Sequence, residues 1–253
     1  MCYKSSVALT QTQNLLNRAL NELPRGRPFG IEEIRALGVS SALASHYIKN
    51  GWLKRLERGV FTFPNDQLTR ENTIIFLAGL FPGLHVGGKT ALAWRGFRHN
   101  VAARESVVLW GVGRAVLPAW FTEEFPARYV TKALFSPDLE KGFGLQTVPE
   151  SPDGPLVSVP ERALLEMLSE VGLKEGVEEA RNITEMLGNL RETVLGVLLG
   201  QCTQVKTVRL CVTWAEDLDL PWAAAARAAA AGKLGRGRWS GPMRNGTRLT
   251  LKP

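Results

Sequence analysis

The sequence predicts an α+β protein with two domains, and two observations lead to this expectation. Residues 29–63 show two short helical patterns separated by a turn and followed by two short apolar stretches. This is the layout of a winged helix-turn-helix, a module that places one helix in a DNA major groove. Residues 71–253 mix helical patterns with short β-branched runs, which is typical of mixed α and β structure. We therefore expect a winged helix-turn-helix DNA-binding domain over 1–70 and a mixed α/β domain over 71–253.

The first helix of the motif is indicated by Ile31, Ile34 and Leu37, whose three-residue spacing makes one apolar face. Gly38 follows directly, and glycine commonly ends a helix in the left-handed conformation. Ser40 is expected to begin the next helix as its N-cap, because its hydroxyl can accept a hydrogen bond from an unpaired backbone N–H.

The second helix is expected to bury Ala44, Tyr47 and Ile48, which lie at i, i+3 and i+4, and to end at Gly51. Its opposite face carries small or hydrogen-bonding side chains, which suit close approach to base edges and phosphates. We name this predicted DNA-binding surface the recognition face, and it consists of Ser41, Ala42, Ser45, His46 and Lys49.

A two-stranded wing is predicted next, with strands over 52–56 and 60–63 joined by residues 57–59. Lys54, Arg55 and Arg58 give this hairpin positive charge, where a wing would meet the phosphate backbone. The alternative is a helical hairpin with a β-ribbon that only packs on another element, its basic residues forming a solvated face. A supporting helix is predicted over 10–24, and the domain boundary near 66–72.

Composition indicates a globular protein with an anionic partner. The 253 residues are 45% hydrophobic and carry a net charge of +7, and basic residues are concentrated in two regions. Residues 1–70 hold ten Lys/Arg against five Asp/Glu, and residues 233–253 hold six Lys/Arg and no acid. An uneven basic balance most often indicates nucleic acid, although the basic tail has an equally good interpretation as a solvated end.

The sequence has three cysteines without metal-ligand spacing, no signal-peptide core and no apolar run of about 20 residues. These features predict a cytoplasmic protein without a membrane partner. The three histidines, His46, His85 and His99, lie in separate segments, so no metal site or other cofactor is expected. We identify no catalytic residues. Asp217 and Asp219 have the spacing of an acidic metal-binding pair but adjoin Leu220-Pro221, which favours a turn.

In the second domain, helices are predicted over 71–80, 90–96, 162–171, 175–188, 190–200 and 223–231, and strands over 106–110, 128–131, 145–148, 156–158 and 247–251. Ser158 and Glu161 are expected to form a capping box around Pro160. Residues 207–214 alternate in a way that fits either a strand or the end of a helix.

Residues 83–90 match the sequence pattern of a P-loop, as Gly83-Leu-His-Val-Gly-Gly-Lys-Thr90. A P-loop must follow a buried strand and open a helix, whereas the segment before Gly83 favours a helix, and Pro82 adjoins this first glycine. We therefore interpret the segment as a turn in which Gly87 and Gly88 relieve backbone strain, and keep nucleotide binding through Lys89 as a minor alternative.

Five segments and Gly96 together resemble the AbiEi antitoxins of type IV toxin–antitoxin systems. The segments are Gly51-Trp-Leu-Lys-Arg-Leu-Glu-Arg-Gly-Val-Phe61, His85-Val-Gly-Gly-Lys-Thr-Ala-Leu92, Ser158-Val-Pro-Glu-Arg-Ala-Leu-Leu-Glu166, Val205-Lys-Thr-Val-Arg-Leu210 and Leu220-Pro-Trp222. The resemblance implies a winged helix that binds the protein's own promoter and a C-terminal domain that counters a nucleotidyltransferase toxin. The Ala-rich run over 223–231 departs from the family pattern.

The expected partners are therefore operator DNA and a cognate nucleotidyltransferase toxin. A single module buries only about 600–1,000 Å² on DNA, so we expect two copies on an inverted repeat, with dimerisation on the DNA. The alternatives are a stand-alone winged-helix regulator without a toxin, and a nucleotide-binding protein.

Overall fold

The computed structural model describes residues 14–99, 106–242 and 248–251. Helices and sheets of both parallel and antiparallel pairing occur together, which confirms the predicted α+β class. Among the described residues, no helix combines the length and the apolar character that crossing a membrane requires.

The secondary-structure elements are, in chain order, α1 (14–22), β1 (Phe29–Gly30), α2 (Ile31–Ala36), α3 (Ser41–Lys49), β2 (Lys54–Glu57), β3 (Val60–Thr62), α4 (Arg70–Leu80), β4 (His85–Val86), α5 (Gly88–Trp94), β5 (Val107–Trp110), α6 (Ala119–Glu124), β6 (Ala127–Val130), β7 (Leu145–Gln146), β8 (Val157–Ser158), α7 (Pro160–Glu170), α8 (Val177–Glu185), α9 (Glu192–Gln201), α10 (Val205–Asp217), α11 (Ala223–Ala229), β9 (Trp239–Pro242) and β10 (Arg248–Leu251).

The chain divides into two compact units. Unit 1 comprises Met1–Leu80 with Pro118–Glu124, and unit 2 comprises Phe81–Leu117 with Phe125–Pro253. Helix α4 therefore groups with the first unit. The predicted domain ranges of 1–70 and 71–253 stay predictions, because compactness alone does not show which residues fold independently.

Unit 1 packs helices against a three-stranded antiparallel sheet of order β1-β3-β2. Its core buries large side chains from every part of the motif, among them Phe29, Ile34, Tyr47, Phe61 and Phe63. Strand β1 was not predicted; it is two residues long and pairs Phe29 with Phe61. Of the supporting helix predicted over 10–24, residues 14–22 are helical and residues 10–13 lie outside the described part of the chain.

Unit 2 is built on a five-stranded mixed sheet of order β6-β5-β4-β8-β7. The central β4 pairs antiparallel with β5 and parallel with β8, and helix α5, which follows β4, packs against α7. Residues 207–214, which the sequence left open between a strand and the end of a helix, lie within helix α10. Asp217 is the last residue of this helix, and only Asp219 lies in the predicted turn, with φ of 49°. The predicted strand over 145–148 is shorter, ending at Gln146.

The capping box predicted at the start of α7 is wrong. The N-cap is Val159, with Pro160 at the first helical position and no side-chain cap. Ser158 belongs to strand β8 and donates its hydroxyl hydrogen to the buried carboxylate of Glu166, while Glu161 accepts hydrogen bonds from Arg191. Both side chains prefer these long-range partners, since buried polar groups must be hydrogen-bonded.

Candidate nucleic-acid interface

Helix α3 presents an exposed polar face. Ser40 caps it by accepting a hydrogen bond from Leu43 N–H at 3.2 Å, and Gly51 follows it with φ of 73°. Ala44 and Tyr47 are buried in the core of unit 1. This packing turns the opposite side to solvent, and it leaves exposed all five side chains of the recognition face, Ser41, Ala42, Ser45, His46 and Lys49.

Hydrogen bonds order the two serines of this face. Ser45 Oγ donates to the Ser41 carbonyl oxygen at 2.9 Å, and Arg35 donates to Ser41 Oγ at 3.2 Å. Arg35 also pairs with Glu32 at 2.7 Å. Both serine oxygens keep acceptor capacity. Sequence reasoning missed Arg35; its basic character in the last turn of α2, six residues before Ser41, was the available signal.

The C-terminal end of α3 carries a polar and aromatic cluster. The Asn50 side-chain amide donates to the His46 carbonyl oxygen at 2.8 Å and lies 3.1 Å from His46 Nε2. This contact involves one ring nitrogen, Nε2, of an imidazole that is otherwise exposed.

The first strand of the wing begins at Lys54 and not at residue 52 as predicted, so Trp52 lies before the strand. Its ring packs edge-on against His46 at 6.0 Å between centroids, and it packs against Tyr47 at 5.5 Å with the two rings tilted by 54°. Trp52 is 40% exposed, so a large aromatic side chain stands beside the recognition face. The sequence pattern placed it in a strand because apolar alternation does not distinguish a strand from a bend.

The wing consists of strands β2 and β3 joined by a turn at Arg58 and Gly59, where Gly59 has φ of 81°. Lys54, Arg55 and Arg58 are all exposed. Within the described part of the chain, none of these three cations pairs with a carboxylate. The Arg55 guanidinium lies 6.0 Å from the Phe61 ring centroid. Cations placed in this way can exchange water for phosphate oxygens without first breaking an ion pair.

The P-loop-like segment does not form a phosphate cradle. Strand β4 lies between Gly83 and Gly88, where a P-loop needs an open turn. The Gly87 N–H donates to the Val108 carbonyl at 3.0 Å, and the Gly88 N–H donates to Glu166 Oε2 at 2.9 Å. Both amides are therefore used within the fold.

Lys89 likewise forms ion pairs within unit 2. Its Nζ pairs with Glu179 at 3.0 Å and with Glu175 at 3.3 Å. Burial alone would lower the pKa of Lys89, but the two carboxylates outweigh it and raise the pKa above its usual value. The geometry therefore favours a structural role for Lys89 over nucleotide binding.

A buried polar cluster, which we name the Glu166 cluster, joins the family-like segments of unit 2. Glu166 is fully buried and accepts four hydrogen bonds, from His85 Nε2 at 3.1 Å, Arg162 Nε at 2.9 Å, Ser158 Oγ at 2.8 Å and the Gly88 N–H at 2.9 Å. Burial alone would raise the pKa of Glu166. The charge and hydrogen bonds of His85, with those of Arg162, outweigh burial and lower the pKa to about 2.

His85 faces acceptors on both sides, the Gly83 carbonyl at 2.8 Å from Nδ1 and Glu166 at 3.1 Å from Nε2. Both of these oxygens can only accept, so each ring nitrogen faces an acceptor. Among the described residues, no three His, Cys, Asp or Glu side chains are grouped so as to hold a metal ion, and His99 contacts Asn182 instead.

Two family models match the chain. One, described as the AbiEi antitoxin N-terminal domain of a transcriptional regulator, matches residues 12–103. The other, described as a transcriptional regulator, AbiEi antitoxin, type IV TA system, matches residues 104–246. The chain belongs to the AbiEi antitoxin family. It is thereby a transcriptional-regulator antitoxin of the type IV toxin–antitoxin class, as the resemblance in the sequence predicted.

A search of curated proteins found no match. Among solved structures, this AbiEi chain is similar to the RV2827C protein from Mycobacterium tuberculosis, with a TM-score of 0.57 and 13% identity over 90% of this chain and 83% of that one. At this identity the likeness supports the fold alone.

Proposed function

We propose that this AbiEi protein represses its own promoter by placing α3 in the major groove and its wing on the flanking phosphates. The observation that supports this most directly is the exposure of the whole recognition face beside the three exposed cations of the wing. Small side chains such as Ala42 and Ser45 let the helix approach base edges closely, while Lys49, Lys54, Arg55 and Arg58 supply positive charge for phosphates.

The operator is proposed to be an inverted repeat. One module of this size buries about 600–1,000 Å² on DNA, and this area limits the affinity of a single copy. Two copies on symmetric half-sites, about 34–36 Å apart or a multiple of that distance, would add their contacts. Footprinting of the DNA upstream of the gene should then show two protected half-sites.

A substitution that blocks close approach tests the repressor role. Ser45→Tyr adds a bulky ring at the centre of the recognition face and is expected to relieve repression of a promoter–reporter fusion. Thr193→Tyr is the matched control, because Thr193 is also a small exposed hydroxyl residue on a helix, in unit 2. Equal repression by both variants would show that α3 does not contact the operator.

The second part of the proposal is that the protein counteracts a nucleotidyltransferase toxin, and it includes no catalytic step by this chain. Membership of the AbiEi family supports this. Co-expression of the full chain with a nucleotidyltransferase encoded beside it should restore growth. No rescue, together with intact repression, would favour a stand-alone regulator. Rescue that persists in Ser45→Tyr would separate neutralisation from DNA binding.

A further inference from the structure

Trp52 is a large aromatic side chain that the fold leaves in contact with solvent. It is 40% exposed, and among the side chains that the structure describes it is the only exposed Phe, Tyr or Trp. A single exposed apolar residue is not in itself a binding surface. What Trp52 can contact is therefore decided by how firmly its ring is held and by what surrounds it.

The indole is held in a fixed position. The Trp52 N–H donates to the Tyr47 carbonyl oxygen at 2.9 Å, and the indole packs against the ring of Tyr47, which is fully buried. The indole also meets His46 edge-on, and the next residue, Leu53, is buried in the core. A ring that is already ordered loses little conformational entropy when a partner binds, and this is the character of the anchor residues that dominate interfaces.

The charges beside Trp52 favour a nucleic acid as the partner. Residues 49–56 contain Lys49, Lys54 and Arg55 and no acidic residue, and all three cations are exposed. Within the part of the chain that the structure describes, none of them pairs with a carboxylate. An apolar ring between solvated cations suits an anionic partner that also offers an apolar group.

The contact with the recognition face identifies that apolar group. Because Trp52 packs on His46, a helix α3 that lies in the major groove brings the indole to the same groove. The base edges of the major groove present hydrogen-bond donors, acceptors and one apolar group, the C5-methyl of thymine. This methyl group is the part of the base edges that an indole can cover without leaving a polar atom unpaired.

We infer that Trp52 is a specificity-determining residue that packs its indole on a thymine methyl group of the operator. The inference rests on the proposed repressor function and adds to it the chemical group that is recognised. The hydroxyl groups of Ser41 and Ser45 suit the polar base atoms, whereas the indole removes water from the methyl group. Trp52 thereby favours thymine over the three bases that lack this methyl.

Removal of the methyl group from the DNA tests the inference without altering the protein. Duplexes of the promoter DNA upstream of the gene are prepared with each thymine replaced in turn by uracil, which lacks only the C5-methyl. Fluorescence anisotropy with the full chain should show about fourfold weaker binding for at least one uracil position, because burial of one methyl group changes an affinity by about this factor.

Variants of Trp52 assign this methyl dependence to the indole. Trp52→Ala should bind the thymine duplex at least about tenfold more weakly, and it should bind the thymine and uracil duplexes equally. Trp52→Phe keeps a ring beside Tyr47 but is shorter, so its methyl dependence should be smaller than that of the wild type. Leu80→Ala is the control, because it removes another exposed large apolar side chain of unit 1 and should change neither quantity.

Equal affinities of the wild type for every uracil duplex and the thymine duplex would overturn the inference, as would a methyl dependence that persists unchanged in Trp52→Ala. A wild type that does not prefer the promoter duplex to a scrambled duplex would refute the repressor function itself, and the inference with it. Circular dichroism melts establish that the variants are folded. If Trp52→Ala does not fold, Trp52→Phe decides, and a methyl dependence equal to that of the wild type would refute the inference.

Discussion

The recognition face of α3 and the Glu166 cluster use the same residue types in opposite ways. Each contains a histidine and serine, and each has an arginine nearby. Ser45 and His46 are exposed, whereas Ser158 and His85 are 0% and 3% exposed. The buried serine and histidine both donate to one carboxylate, while the exposed pair keeps hydrogen-bonding capacity on its solvent side.

This difference shows how to separate polar residues that hold a fold from those that contact a partner. A buried polar group costs free energy unless it is hydrogen-bonded, so the Glu166 cluster is internally satisfied and has little capacity for a ligand. An exposed face with solvated cations beside it carries no such requirement. The two regions should therefore respond to substitution in opposite ways, stability changing in one and DNA binding in the other.

The largest expected effect is on stability, from Glu166→Ala. The substitution leaves the Arg162 guanidinium and the His85 ring without their shared carboxylate, and breaking a buried pair in this way typically costs about 3–5 kcal/mol. Urea unfolding measures the loss. Glu216→Ala is the control, because the Glu216–Arg227 pair is about 40% exposed and such pairs contribute about 0–1 kcal/mol. Similar losses in both variants would contradict the assigned role.

Acid should weaken the same cluster. Because the folded-state pKa of Glu166 is lowered from 4.5 to about 2, its contribution is fully present above about pH 4.5 and is lost as pH falls towards 2. The shift corresponds to roughly 3 kcal/mol. Urea midpoints across this range should therefore fall more steeply for the wild type than for Glu166→Gln. Parallel curves would show that Glu166 does not bind a proton in that window.

Gly87→Ala should have the next largest effect. A β-carbon at Gly87 would lie 2.4 Å from Glu166 Oε2 and 2.5 Å from Trp110 Cδ1. Neither atom belongs to a flexible exposed end, so the surroundings must shift, at a cost of about 1–3 kcal/mol. Gly79→Ala is the control, because its β-carbon meets open space and alanine favours a helix over glycine. Thermal unfolding should show a lower midpoint for the first variant and no decrease for the second.

The parts of the fold that the sequence predicted are those with local signals. Gly38, Ser40 and Gly51 mark the ends of short helices through backbone conformation and capping, and the structure places helix ends at all three. The recognition face followed from helical spacing once the buried side was known. Its role in binding DNA stays a prediction.

The parts that escaped prediction depend on residues far apart in the chain. The residues around Ser158 are typical of a helix start, which predicted a cap there. Its actual partner is Glu166, a carboxylate that also binds His85, 81 positions away from Glu166. Strand β1 is too short for a periodic pattern and exists because β3 pairs with it. The reasons for the two adjacent glycines of the P-loop-like segment are visible only in three dimensions. Glu166 and Trp110 approach Gly87 closely, and Gly88 has φ of 54°.

The smallest expected effect on stability comes from the wing, where Arg55→Ala with Arg58→Ala should change the free energy of unfolding by no more than about 0.5 kcal/mol per site. Operator affinity should nevertheless fall, and the slope of log affinity against log salt should flatten by about 0.9 for each phosphate that the wing no longer neutralises. Fluorescence anisotropy at several salt concentrations measures the slope, with Arg227→Ala in unit 2 as control. An unchanged slope would place the wing outside the interface. A flattened slope with an unchanged free energy of unfolding is the reverse of the pattern expected for Glu166→Ala. That result would show that these exposed cations bind a partner and do not stabilise the fold.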